Sequence, residues 1–349
     1  MVRLVCRHLF RTGLAVWALA SLVFLLSYRN SDTVIELLLA DTADLTVTAT
    51  PAQQLATREA VRHRLGFDSP LFYASRNTAS GGWRWHGLHN QYHHWASQLL
   101  QGNLGTSFRT GQAVRSQLAS ALAFTLPLTA TAAVLAMLAA YGLALRLAAR
   151  PWWYRAVRSL LVGIHSLPLF AVALALLLLL ANPEVLAWFP AYGTDQLTDD
   201  GTGLGNQFFD YTWHFVLPIT ALTLSILPDF TLQLEATLGK ELGADYATTA
   251  RAKGLAESAV IRRHALRNAL APSITQLALL LPGLVAGAVV VEVVFALPGM
   301  GRLLAEAAAA RDYPLLVGGV LLTGLARLLA LLLADLLYLW ADPRIRWQS

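Results

Sequence analysis

The chain has 349 residues, 56% of them hydrophobic and only 13% charged, with a formal net charge of +5. Soluble domains carry about a quarter charged residues, so this balance excludes an ordinary soluble protein and points to the membrane class. The single cysteine, Cys6, excludes an intrachain disulfide and any cysteine-rich metal or cluster site.

A bilayer core of about 30 Å calls for roughly 20 apolar residues in a helix. The first such stretch, Thr12–Tyr28, follows Arg3, Arg7 and Arg11 and has no small-residue cleavage site, so it reads as a retained anchor. The long loop Arg29–Arg115 follows, with short helices expected at Glu36–Ala40 and Thr57–Leu65. Its middle, Tyr73–Asn90, is rich in Asn, Ser, Gly and Trp and reads as an irregular excursion. Five further spans are expected at Leu118–Leu145, Ser159–Ala181, Tyr211–Leu234, Ala269–Leu297 and Pro314–Trp340. Pro127, Pro168, Pro218 and Pro282 fall within spans, where kinks permit bending. The fold class is an all-α polytopic membrane protein. Residues 1–28 form the N-terminal segment and first helix, 29–115 a loop or cap, and 116–349 a core with a polar loop at 235–268.

Basic residues set the orientation. Arg146, Arg150, Arg155 and Arg158 lie between spans two and three. Lys240, Arg251, Lys253, Arg262, Arg263 and Arg267 lie between spans four and five, and Arg344 and Arg346 at the C-terminus. The opposite loop, Asn182–Asp210, has no Lys or Arg. The positive-inside rule then makes both termini cytoplasmic and residues 29–115 extracytoplasmic; long loops translocate largely regardless of their charge. Topology and contact with anionic lipid explain the net charge, and nucleic acid is not expected as a partner.

Within the core, Asp245-Tyr246-Ala247-Thr248-Thr249-Ala250-Arg251-Ala252-Lys253-Gly254-Leu255 is a short, basic, helix-prone segment between membrane-length apolar runs. Ala247, Ala250 and Ala252 would allow close approach of a partner, and Gly254 would supply a left-handed turn ending the helix. A headgroup-binding surface is the other reading of the same residues. Four charged residues sit inside spans: Asp229, Glu292, Arg327 and Asp335. Arg327 and Asp229 lie at comparable depth, so Arg327 is expected to face a pathway, paired with Asp229 or meeting a substrate carboxylate; a structural pair with Asp335 is the alternative. Glu292 is read as a gate or cap contact, or as a structural acid. His86, His89, His93 and His94 cluster among Trp83, Trp85, Tyr92 and Trp95, which suits an interfacial segment better than a metal site. No metal or cofactor is expected. The chain has no phosphate loop of the G-x-x-x-x-G-K-[ST] type and no matched polar set for an intramembrane enzyme.

The segment at 245–255 resembles the D-Y-x-x-T-A-R-A-K-G-L loop of permease subunits in the dipeptide/oligopeptide/nickel family of ABC importers. Further blocks are similar in order: Leu65-Gly66-Phe67-Asp68-Ser69-Pro70-Leu71, Gln91–Trp95 with Gly102–Phe108, Ser166–Phe170, Pro190–Gly193, His214–Pro218, Arg263–Ala269, Val290–Leu303 and Asp335–Arg346. The resemblance implies the six-helix type I importer permease fold with an extracytoplasmic cap after the first helix. It also implies a second homologous permease subunit, two cytoplasmic ATPases and an extracytoplasmic substrate-binding protein. By it, Asp245, Tyr246, Thr249, Ala250, Arg251, Ala252, Lys253, Gly254 and Leu255 form the ATPase-docking contact, and ATP hydrolysis lies on a partner chain. Peptides are the implied substrates; nickel, another small solute, or an export or antimicrobial-peptide-resistance role are alternatives. Tyr28–Asp32 departs from the family's P-G-D-P, Phe72–Asn90 is an insertion, and Asp229–Leu242 lacks the arginines common there.

Overall fold

Leucine and alanine lose little side-chain freedom in a helix, and in lipid a helix satisfies its own backbone. The computed structural model of the chain is accordingly dominated by helices. It describes residues 2–28, 35, 36, 39, 51–64, 66–76, 81–190, 204–270, 272, 273, 276, 280 and 289–341. Most of the fifth expected span with Pro282, most of Glu36–Ala40, the Ala191–Gly193 and Asp342–Arg346 motifs, Leu65, and the side chains of Cys6 and Asp335 lie outside the described residues.

The helices in order are α1 (Val2–Tyr28), α2 (Pro51–Arg64), α3 (Gln91–Leu100), α4 (Val114–Ala148), α5 (Tyr154–His165), α6 (Leu169–Leu176), α7 (Leu204–Leu242), α8 (Asp245–Ala252), α9 (Glu257–Val260), α10 (Val289–Val294), α11 (Met300–Ala309) and α12 (Tyr313–Ala341). Among the described residues, three helical stretches are long and apolar enough to cross a bilayer: Val114–Ala148, Trp213–Leu242 and Tyr313–Leu332. Gly13–Leu25 of α1 is a shorter apolar helix.

The third expected span is not one continuous helix. α5 and α6 meet at a 101° bend. Pro168 has no N–H to continue the ladder and restricts the residue before it. The Ser166 hydroxyl donates to the Val162 carbonyl at 2.8 Å, satisfying one acceptor at the break. A π-helical turn, Leu177–Ala181, extends α6.

The chain divides into two compact units. In the unit of residues 6–120 and 303–325, two parts of the Tyr73–Asn90 segment are regular where the composition suggests an irregular excursion. Strands β1 (Ala74–Arg76) and β2 (Trp83–Trp85) pair antiparallel, Ser75 opposite Arg84. The aromatic Trp-Arg-Trp run favours a pleated surface over an irregular one. Phe24 stacks on Trp95 at 4.7 Å, and Ala20, Phe24 and Val317 form a buried cluster. Asp312, 2% exposed, accepts from the Ser107 hydroxyl and, at 3.1 Å, from the Phe108 N–H. Those two bonds hold the Thr106-Ser107-Phe108 turn.

The second unit covers residues 1–5, 121–302 and 326–349. Its core joins Leu128 and Ala132 of α4, Ala173 of α6, Leu217 and Ala221 of α7, and Val291 and Phe295. Small residues such as Ala132, Ala173 and Ala221 let helix backbones approach closely, which is how packing drives association without a hydrophobic effect in lipid. A second cluster, around Leu234, Leu238, Ile261 and Ala265, supports the polar loop that follows α7.

Candidate functional site

α7 runs to Leu242, and Gly243 and Ala244 turn the chain into α8. Asp245 in the first turn and Arg251 in the last complement the helix dipole. Gly254 takes φ +81°. Its N–H bonds the Arg251 carbonyl at 2.9 Å, and the Leu255 N–H bonds the Ala250 carbonyl at 3.3 Å. This is a Schellman termination, with Leu255 packed by Ala250 as the accompanying apolar contact. An alanine at Gly254 would hold the left-handed conformation at a cost of about 1 kcal/mol, so Gly254→Ala is expected to raise amide hydrogen exchange across 245–255 about fivefold.

The alanines divide differently from the sequence expectation. Ala247 and Ala250 are buried against Val260 of α9, at 0% and 5% exposure. They sit three residues apart, hence on one helix face, and that face seals the loop to itself. Ala252 is exposed, as are Asp245, Tyr246, Thr248, Thr249, Arg251, Lys253 and Gly254.

Arg251 is engaged within the loop. Its Nε donates to Glu257 Oε2 at 2.9 Å, one Nη to Glu257 Oε1 at 2.7 Å, and the other Nη to the Leu242 carbonyl at 3.0 Å. One guanidinium therefore joins the end of α7 to the start of α9. Tyr246 donates to Glu241 Oε2 at 2.5 Å, and Asn268 Nδ2 reaches that oxygen at 3.2 Å and the Tyr246 oxygen at 3.3 Å. α8 is thus tied to the end of α7 at two points. The Arg251 bond holds the Glu257 carboxyl below its usual 4.5 and raises the Arg251 guanidinium. Burial, then the bond to Glu241, raises the Tyr246 phenol. Because the Glu257 pKa is depressed on folding, the clamp's stabilisation is present above pH 4.5 and is lost as pH falls through the lower folded value. Protection factors across 245–257 are expected to be flat from pH 7 to about 5 and to fall below 4.5, and Glu257→Gln should remove that dependence.

Asp229, Glu292 and Arg327 occupy different settings. Asp229 is half exposed and lies 3.0 Å from His165 Nδ1, so among the described residues the side chain set against it is His165, not Arg327. Arg327 is exposed near the middle of α12. Glu292 is fully buried. Its Oε1 accepts from the Thr125 hydroxyl at 2.7 Å and its Oε2 from the Arg302 N–H at 2.9 Å; Thr125 Oγ1 accepts from the Met300 N–H at 2.7 Å. The carboxylate and the hydroxyl together cap the first turn of α11. Gly299 leaves room for this: a Cβ there would lie 2.2 Å from Glu292 Cδ.

Other placements were not expected. Glu235 accepts from Tyr154 at 2.9 Å and sits 3.7 Å from Arg158, bracing α5 against α7. His86 and His89 precede α3, which begins at Gln91 and carries His93 and His94. His86 bonds Ser75 at 2.8 Å, His93 bonds Tyr73 at 3.1 Å, and His94 bonds Gln98 at 2.8 Å. No metal-holding group occurs among the described residues.

Comparison with known proteins adds the family. Residues 132–347, which contain the whole loop, match the model of the binding-protein-dependent transport system inner membrane component. The glutathione transport system permease protein GsiC of Salmonella typhimurium (strain LT2) is 34% identical over 313 residues, 85% of this chain and 89% of that protein. GsiC of Escherichia coli (strain K12) is 32% identical over 304 residues, 86% of this chain and 88% of that protein. Permeases of this family are multi-pass inner-membrane transport subunits, not enzymes, and work with a second permease, ATPases and a substrate-binding protein. The chain therefore belongs to the binding-protein-dependent transport system inner membrane components, and it is a permease component of an ABC importer.

Proposed function

We propose that the chain imports small peptides, and that the loop at 245–255 is where partner ATPases drive it. The peptide reading is carried by the similarity, over 85% of the chain, to permeases whose names specify glutathione, itself a tripeptide. In a strain lacking this chain, the cognate system should fail to take up labelled glutathione or dipeptides while nickel uptake persists. Loss of nickel uptake alone would contradict the reading.

Both termini and the loop 235–268 lie in the cytoplasm in this account, supported by the arginine distribution. ATPase closure presses on the exposed side of α8. The Arg251–Leu242 and Tyr246–Glu241 bonds carry that movement into α7, which lines the pathway, so access alternates between the two sides of the membrane. Asp229 and Arg327 meet the solute. Glu292, covered on all sides, holds α11 in place at the pathway's margin. Arg327→Ala should lower uptake about tenfold without loss of membrane insertion, since an exposed mid-span arginine is costly unless it faces a cavity. Unchanged uptake would remove Arg327 from the pathway.

A further inference from the structure

Two polar rungs join α5 to α7, and they differ in kind. At the rung nearer the loop, Glu235 is 15% exposed and is held by both Tyr154 and Arg158. That arrangement is closed: the acid is covered and its partners bracket it. At the other rung, His165 and Asp229 are 53% and 52% exposed, with Nδ1 and Oδ1 3.0 Å apart. His165 is the last residue of α5, at the 101° bend, and Asp229 follows Pro228 inside α7.

Depth makes this second rung unusual. Asp229 lies about 24 Å along the helix from Trp213 and about 9 Å inside the charged rung at Glu235, at about 1.5 Å per residue. An ionisable residue at such a depth faces a bundle interior or a water-filled cavity, because lipid does not solvate it. Half of each side chain is nevertheless uncovered by this chain. The open side therefore belongs to a wet space completed by other subunits, where Asp229 keeps acceptor capacity beyond its bond to His165.

We infer that Asp229 receives the primary ammonium group of the transported solute, and that His165 is the residue positioning its carboxylate. This rests on the peptide reading above, which supplies a solute with a free amine. The aspartate offers the one negative charge of the rung. The imidazole, fixed at the helix break, orients one carboxylate oxygen and leaves the other to a charge-assisted bond with N–H donors. An imidazole yields to a stronger cation more readily than the guanidinium beside Glu235 does.

The test is uptake of labelled alanyl-alanine by cells carrying the complete transporter, with partner subunits checked by co-purification. Asp229→Asn should lower uptake about tenfold, the equivalent of one charge-assisted hydrogen bond, while Asp229→Glu keeps most of it. His165→Gln, which keeps a donor but not the imidazole geometry, should lower uptake about threefold. Partner subunits should co-purify with all three variants. Wild-type uptake by Asp229→Asn would overturn the assignment. Equal loss in Asp229→Glu and Asp229→Asn would also overturn it, since a packing role and not a charge is then at stake. Absence of alanyl-alanine uptake by the wild-type transporter would instead overturn the peptide reading, and the ammonium site with it.

Discussion

Gly299→Ala is expected to be among the most damaging single substitutions in this chain, at about 3 kcal/mol. The added Cβ would sit 2.2 Å from Glu292 Cδ, so the carboxylate must leave its position. When it leaves, the Thr125 hydroxyl loses its acceptor in a fully buried setting and the Arg302 N–H loses one in a partly buried setting. Overpacking costs about 1–3 kcal/mol, and a buried polar group left unpaired adds about 1–3. Glu292→Ala should cost a similar amount by the second route alone. The two substitutions act on one contact, so the double variant is expected to fall short of the sum by about 1–2 kcal/mol. Thermal unfolding of the four proteins in detergent gives the cycle. Strict additivity would show that Gly299 and Glu292 matter for separate reasons.

Arg251→Ala is expected to uncouple transport from ATP hydrolysis, with peptide uptake per ATP falling about tenfold, within the range of ordinary inter-site couplings. The guanidinium spans α7, α8 and α9 through three hydrogen bonds. Removing it leaves α8 joined to α7 through Tyr246 and Glu241. Lysine should not rescue the loss, because it lacks the planar fork that meets both Glu257 oxygens at once. Glu257→Gln should give a smaller deficit, since the bond from Arg251 to the Leu242 carbonyl does not depend on residue 257. Parallel measurement of uptake and ATP hydrolysis in proteoliposomes checks all three variants. A lysine variant as active as wild type would show that charge, and not the clamp, is what matters at 251.

The helices and the sequence reading agree best where one physical rule dominates. Apolar runs near bilayer length predict α4 and α12 within a few residues, because lipid leaves a chain few alternatives. Pro168 marks a break in the third span, but hydropathy carries no angle, and the 101° bend depends on how α5 and α6 pack on α7. The hairpin at Ala74–Arg76 and Trp83–Trp85 was hidden by glycines and asparagines, although Trp-Arg-Trp carried a strand preference.

In the loop, residue types were legible but directions were not. Small side chains at 247 and 250 announced close packing. Only the position of Val260 decides that the packing is internal. By residue type Arg251 reads as charge offered to a partner; its acceptors, Glu257 and the Leu242 carbonyl, lie outside the motif. Counting residues set Asp229 beside Arg327 in depth. The bend instead brings His165 to it, and a proline three residues after a histidine was the available signal.

The central claim is that α8 is the surface on which a partner ATPase pushes, and cysteine cross-linking tests it most directly. With Cys6 replaced by alanine the chain is free of cysteine, and Lys253→Cys then places one thiol on the exposed end of the loop. Co-expressed with its partner subunits and treated with a short bifunctional thiol reagent that also reacts with lysine, this variant is expected to form an adduct with an ATPase subunit, its yield changing on addition of ATP. No ATPase adduct, together with labelling of residue 253 by an impermeant thiol reagent in intact cells, would contradict the account.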